Sequence, residues 1–401
     1  MSTDGALIAD RRRAAAERAA AVRRHPTGRS GASTRRLKPP PTAFYIIGLI
    51  VIVFVMLGLV MVLSASSIME FHKGNSPWRI FTRQAIWATF GAVALWCCAR
   101  IPYQTWRRLT VPGLAAACGL MLLPFVPGIG STINDASSWV SLGSLSFQPS
   151  EFFKVAVLVY CADLLTRRDR EMGDLRRTLV PCLMIAALGS GLCLLQGDLG
   201  SAIVLTAMVF VVAFVGGTPL TPLMSSLLAA AGVALAFVFS SQRRFNRFTA
   251  FLDVTNNRDH LSYQVWQAQI AIAQGGVTGT GPGRGLNKLG DFLPLAHSDF
   301  IFAVIGEELG LIGVVAVLGG FLVLTFCAVQ VALAARDRFG MLLAGGIAGW
   351  FVVQTVINVG GVVGLLPVTG LTLPFFSAGG SSLFVCMAAA GLLLNVARHA
   401  S

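Results

Sequence analysis

From residue 44 to the C-terminus the sequence is a succession of long apolar stretches parted by short polar ones, and this constrains the fold more than any other feature. A helix that crosses a bilayer needs roughly 20 apolar residues. About ten stretches qualify, near 44–66, 80–99, 111–127, 150–165, 179–195, 199–216, 223–240, 299–328, 341–363 and 375–397. The third, fourth and fifth are short and leave little room for tilt. The fold class expected is an all-α polytopic membrane protein of about ten transmembrane helices. Composition agrees, since 12% of residues are charged, about half the share usual in a soluble domain. The 43 glycines suit close contact between helices in lipid.

Ten spans put both termini on one side of the membrane, and the basic residues say which. The loops and ends on the N-terminal side hold 21 of the 31 Lys and Arg, the opposite loops hold eight, and Arg83 and Lys154 fall within spans. That asymmetry predicts an N-in, C-in topology. Residues 1–43 carry ten bases against three acids; such a segment cannot form a core and reads as a disordered or loosely helical cytoplasmic arm drawn to anionic lipid. Nucleic acid is not the expected partner, because no aromatic interleaving or groove-reading motif accompanies the charge. The arm is too long and basic for a cleaved secretory signal, so the first span is expected to act as an uncleaved anchor. The remainder, 44–401, reads as one transmembrane domain with a large outer loop at about 241–298 between spans seven and eight. All eight cysteines lie in apolar stretches without a CxxC pair, which points to buried thiols rather than to disulfides or zinc.

The long loop is too large for a mere connector. Its basic, aromatic stretch Arg243-Arg244-Phe245-Asn246-Arg247-Phe248 and the following Tyr263 to Ala273 read as helix lying along the outer interface. The run Gly275 to Gly290 holds seven glycines and a proline and reads as an irregular, adaptable loop. It resembles a phosphate cradle only superficially, for no strand precedes it and no Lys-Ser/Thr follows.

Ionisable groups inside spans are costly and are functional candidates by default. Arg83, Glu151, Lys154, Gln196, Asp198 and Asp299 all fall at the outer ends of their spans. Glu151 and Lys154, three apart on one helix face, could pair, with a structural role or a functional one. Glu307 and Glu308 lie deeper, and one of them reads as a packed, hydrogen-bonded group. The inner half shows no matching set, which favours chemistry at the outer leaflet over passage across the membrane.

These residues sit in motifs that closely resemble the SEDS family, the family of FtsW, RodA and SpoVE. The motifs are Gln148-Pro149-Ser150-Glu151 with Lys154, Leu195-Gln196-Gly197-Asp198-Leu199-Gly200, Ala296-His297-Ser298-Asp299-Phe300, Gly306-Glu307-Glu308-Leu309-Gly310, Asn358 to Gly361, Leu365 to Gly370, and Gly379-Gly380-Ser381-Ser382. They run in register from about residue 44 to the end. Ala296-His297 and Gly370-Leu371-Thr372-Leu373-Pro374 look like the division branch rather than the elongation branch. The chain departs from the pattern at Gly197, where Pro is usual, at Leu295, at Asp291, which looks inserted, and at Ala378, where Tyr is frequent.

The resemblance implies a peptidoglycan glycosyltransferase that polymerises lipid II at the outer face of the bacterial cytoplasmic membrane, at the division septum, with divisome proteins and a class B penicillin-binding protein transpeptidase as partners. Asp299 would be the catalytic base for a sugar hydroxyl. Lys154, loop cations such as Arg243 and Lys288, or a divalent cation (Mg2+ or Mn2+) could offset the charge of the diphosphate leaving group. Glu151, Gln196, Asp198, His297, Ser381 and Ser382 would bind or support the substrate; for His297 a helix cap, and for the two serines tight packing, is the plainer reading. The partner transpeptidase would dock near spans eight and nine, with Gly340 to Gly349 one candidate surface and internal packing its competitor. A lipid II flippase, a scaffold without activity and an elongation-type polymerase are the alternatives.

Overall fold

The computed structural model describes residues 41–133, 136–142, 145–254, 262–287 and 292–400. The basic arm, up to residue 40, lies outside the described residues, and the first helix begins at Thr42.

Among the described residues, twelve α-helical segments, a short 3-10 turn at Asp169–Glu171 and one small sheet follow in order. They are α1 (Thr42–His72), α2 (Arg79–Arg100), α3 (Tyr103–Phe125, α-helix with a 3-10 turn near each end), β1 (Gly130–Ile133), β2 (Ala136–Leu142), β3 (Leu145–Phe147), α4 (Pro149–Arg167), α5 (Leu179–Leu195), α6 (Leu199–Val215), α7 (Leu220–Phe239), α8 (Gln242–Leu252), α9 (Tyr263–Gly275), α10 (Ile301–Leu333), α11 (Arg338–Val363) and α12 (Gly380–His399). Each of the ten apolar stretches coincides with a helix. Six of these helices (α1, α3, α7, α10, α11 and α12) are long and apolar enough to cross a membrane, and α5 and α6 are shorter apolar helices. The chain is a multi-pass, mostly helical membrane protein. It is not all-α, however: β1, β2 and β3 form an antiparallel sheet in that order, with Ser131 opposite Trp139 and Ser141 opposite Ser146.

The helix ends follow local chemistry. Pro149 opens α4, where its missing N–H costs nothing. The Asp198 carboxylate caps α6 by accepting from Ser201 N at 2.9 Å, and Asp337 caps α11 through Gly340 N at 2.7 Å, each satisfying a backbone donor with no helical partner. The bundle centres on α11 and α12, whose apolar windows are 67% and 83% buried, whereas that of α7 is 11% buried and lies at the rim.

The inner-half expectation needs correction. Asp163 near the far end of α4 binds Arg107 at 2.8 Å and Arg167 at 2.7 Å, Tyr103 donates to Asp337 at 3.0 Å, and Arg338 pairs with Asp169 at 2.6 Å. A polar set therefore sits at the opposite helix ends as well, formed by loop and helix-end residues that the count of groups inside spans passed over. Glycines 345 and 346 are also not a free surface. A Cβ on Gly345 would meet Val215 at 3.1 Å, and one on Gly346 would run into Leu158 of α4 and Val212 of α6. They allow α11 to press against α4 and α6 inside the bundle.

Packing defines two further segments. Helix α9 lies against the bundle: Val265, Ala268, Ala271 and Gly275 are buried against α10, and Gln269 donates to the carbonyl of Val363 at 3.1 Å. The glycine run after it is docked rather than adaptable. Helix α10 breaks at Gly310, whose φ of 64° and ψ of −163° are not helical, a conformation open to glycine alone without strain. The run packs into this break, with Thr280 N donating to Glu307 O at 2.9 Å, Gly281 N to Glu308 O at 3.0 Å and Leu311 N to Gly276 O at 2.9 Å.

Candidate active site

Asp299 stands in the turn ahead of α10, outside the span. It does not cap that helix, because Phe300 occupies the N-cap position and no side chain caps the first turn. The plain structural reason for an aspartate there is thus removed. Its carboxylate lies on a small cleft between the start of α10, the helix α11 and the loop Val368 to Leu371. A Cβ placed on Gly370 would be 3.8 Å from Asp299 Oδ2, and one on Gly200 would be 2.7 Å from Thr369 O. The loop is therefore pressed between Asp299 on one side and the start of α6, with Asp198, on the other. Asp299 is half-buried, and burial, then the neighbouring Asp198 carboxylate, push its pKa up to about 7. A carboxyl so placed is poised to take a proton near neutral pH.

Asp198 is held from two sides. Oδ2 accepts from Gln148 Nε2 at 2.6 Å and Oδ1 accepts from Ser201 N; burial raises its pKa while the Ser201 hydrogen bonds oppose the rise. Gln148 N in turn donates to Ser381 Oγ at 3.1 Å. Ser381 is thus a strut for the Gln148–Asp198 contact. Ser382 Oγ meets Thr372 Oγ1 at 2.9 Å, so both serines make polar contacts in addition to their packing.

Glu151 and Lys154 form an ion pair at 2.8 Å, with 3% and 1% of their side chains exposed. Lys154 Nζ also donates to Gln354 Oε1 at 3.2 Å and lies 5.0 Å over the Trp350 ring. Gln354 continues the network through Nε2 to Thr372 O at 2.9 Å. In this arrangement the lysine is engaged by Glu151, Gln354 and the Trp350 ring.

His297 is not a helix cap, for it lies four residues before α10. Its backbone carbonyl accepts from Ala378 N at 2.9 Å. Burial, with Lys73 and Arg83 nearby, pushes its pKa down to about 4, so the imidazole is neutral at pH 7. Gln196 faces elsewhere, donating from Nε2 to Met121 O at 2.9 Å, and ties the α5–α6 turn to α3 rather than to Asp299. The Arg243 side chain and Lys288 lie outside the described residues.

Glu307 and Glu308 both serve the glycine run. Glu307 Oε1 accepts from Leu286 N at 2.6 Å and from Asn287 N and Nδ2 at 3.0 Å each; Glu308 accepts from Gly283 N at 3.0 Å and Ser64 Oγ at 2.7 Å. Two amides not counted among the candidates join the site along α11. Gln354 reaches the Lys154 network, and Asn358, one turn on, donates from Nδ2 to Asp299 O at 2.9 Å and to Leu371 O at 2.6 Å. Their signal in the sequence is a pair of amides four apart in an apolar helix, which places both on one face.

Residues 44–401 match the FtsW/RodA/SpoVE family, described as "Cell cycle protein". The chain belongs to the FtsW/RodA/SpoVE family. Among its relatives is "Probable peptidoglycan glycosyltransferase FtsW" of Trichlorobacter lovleyi, 40% identical over 351 residues that cover 87% of this chain and 91% of the relative. Stage V sporulation protein E of Bacillus subtilis is 34% identical, covering 88% and 96%. Among solved structures, a chain described under "Structural coordination of polymerization and crosslinking by a peptidoglycan synthase complex" superposes with a TM-score of 0.73 at 32% identity, covering 89% of this chain and 98% of that one. The rod shape determining protein RodA of Thermus thermophilus gives 0.62 at 31% identity, covering 88% and 95%. Within the FtsW/RodA/SpoVE pattern, Gly197 has a φ of 80°, which a proline cannot adopt. The turn before Asp198 is therefore built differently from one carrying the usual proline.

Proposed function

We propose that this member of the FtsW/RodA/SpoVE family is a peptidoglycan glycosyltransferase that polymerises lipid II into glycan strands at the outer face of the cytoplasmic membrane, for septal wall synthesis. The observation that carries the reading is the Asp299 carboxyl, placed outside the span on a cleft, not used as a cap, and held near pKa 7. The family relatives named as FtsW glycosyltransferases and the division-type residues Ala296-His297 and Gly370 to Pro374 support it.

In this reading Asp299 accepts the proton of the attacking sugar hydroxyl. The hydroxyl oxygen displaces the lipid diphosphate from the anomeric carbon in one inverting step, so no covalent enzyme intermediate is needed. Burial, and after it the charge of Asp198, fixed by Gln148 and the start of α6, would keep Asp299 protonatable near neutral pH. Mg2+ or Mn2+ carried with the substrate diphosphate would neutralise the leaving group; the described residues bring together no cluster of three His, Cys, Asp or Glu side chains that would hold such an ion by themselves. The chain would cross the membrane ten times with both termini inside, and a class B penicillin-binding protein and other divisome proteins would be its partners. With Gly345 and Gly346 buried, the partner helix would meet the lipid-facing sides of α10 and α11 instead.

The test is purified protein with lipid II in proteoliposomes. Glycan product supports the polymerase. Substrate moving between leaflets without product would identify a flippase, and neither outcome would leave a scaffold.

A further inference from the structure

Asn358 is 5% exposed and lines the same cleft as Asp299. Both bonds from its Nδ2 end at carbonyl oxygens, of Asp299 and of Leu371. A carbonyl can only accept, so the amide orientation is fixed and the oxygen cannot trade places with the nitrogen. Oδ1 is left buried without a hydrogen-bond partner among the described residues. Buried polar groups are nearly always paired, and an orphaned acceptor in a cleft calls for a donor. The Asp299 carboxylate, from a residue lining the same cleft, is, when ionised, also an acceptor. Two acceptors on one cleft, one charged and one neutral, match a neutral hydroxyl whose proton can be offered to either.

We infer that Asn358 Oδ1 and the Asp299 carboxylate together form the subsite for the attacking sugar hydroxyl, with Asn358 a binding residue for the glycosyl-accepting end of the substrate. This rests on the glycosyltransferase reading and adds to it the group that holds the hydroxyl before reaction. Asn358 orients the hydroxyl through Oδ1, and through Nδ2 it holds the Asp299 backbone, so one side chain sets both the base and its target. On reaction the hydroxyl oxygen bonds to the anomeric carbon, its proton passes to Asp299, and the bond to the diphosphate breaks with its electron pair leaving on the diphosphate.

Two measurements test this. The first is kinetic: in Asn358→Ser, which keeps one hydroxyl to serve a backbone carbonyl and loses the amide oxygen, KM for lipid II should rise about tenfold, the worth of one hydrogen bond, while the pH midpoint of kcat/KM stays where it is in the native protein. A loss of kcat alone, with KM unchanged, would assign Asn358 a merely structural part and overturn the subsite. The second uses the native protein, so it survives a variant that fails to fold. A lipid-linked disaccharide carrying a diazirine in place of the attacking hydroxyl should label the α11 segment 357–362 or the 368–371 loop, mapped by mass spectrometry. Labelling only elsewhere, in a preparation that polymerises lipid II, would overturn the subsite and leave the glycosyltransferase reading intact. A native preparation that makes no glycan would defeat that reading and the subsite with it.

Discussion

Lys154 Nζ and Glu151 Oε2 meet at 2.8 Å with both side chains all but sealed from solvent. Removing one partner of such a pair leaves a charge buried without compensation, at a cost of about 3–5 kcal/mol. Lys154→Ala and Glu151→Gln should each lower the thermal unfolding midpoint of detergent-solubilised protein, and the pair Lys154→Met with Glu151→Leu should recover much of the loss. Single variants as stable as the native protein would mean that the pair is solvated in the membrane.

The docked glycine run gives a second expectation. Glu307 Oε1 satisfies three N–H groups of Leu286 and Asn287, and Glu307→Leu would leave all three without their acceptor. Backbone amides at 283–287 should then exchange with solvent much faster, read by hydrogen-deuterium exchange mass spectrometry, while α11 and α12 keep their protection. Unchanged exchange at 283–287 would show that the loop is held by the backbone bonds to Glu307 and Glu308 alone.

These two cases also show what could be read from residues in order and what could not. The α5 limits, Leu179–Leu195, agree with the apolar stretch to the residue because Arg177 with Thr178 at one end and Gln196 at the other bound it sharply. The partner of helix α9 was not legible, because an apolar face made of Val265, Ala268 and Ala271 fits lipid and protein equally well in a sequence. The glycine run looked adaptable because its anchors, Glu307 and Glu308, lie some twenty residues on and act by accepting backbone N–H groups. Asp299, Asp198 and the Glu151–Lys154 pair were legible because charge in an apolar setting stands out. Gln354 and Asn358 were passed over because neutral amides do not, although Gln354 accepts from Lys154 and Asn358 donates to the Asp299 carbonyl.

The pH dependence follows from the raised pKa of Asp299. Its base form is lost as pH falls through about 7, so kcat/KM should drop about tenfold per pH unit below that point and level off above it. Asp198→Asn removes the neighbouring negative charge and should move the midpoint to lower pH. A profile flat from pH 5 to 8 would separate Asp299 from the proton transfer.

Topology is checked by single cysteines in a background without the native ones. Cysteines at Ser131 and Asn257 should react with an impermeant thiol reagent in intact cells, and one at Thr34 should not. Labelling at Thr34 with protection at Ser131 would invert the orientation and place Asp299 on the wrong side for an outer-leaflet substrate.

The central claim, that Asp299 is the base for glycan polymerisation, is tested most directly by Asp299→Asn. The amide is close in shape and cannot take the hydroxyl proton, and the native aspartate makes no helix cap whose loss could confuse the result. The measurement is the initial rate of glycan synthesis from lipid II by protein shown to be folded by size-exclusion profile and unfolding midpoint. The account predicts a fall of about 10²- to 10⁴-fold with lipid II binding retained; a well-folded Asp299→Asn protein that polymerises at a near-native rate would contradict it.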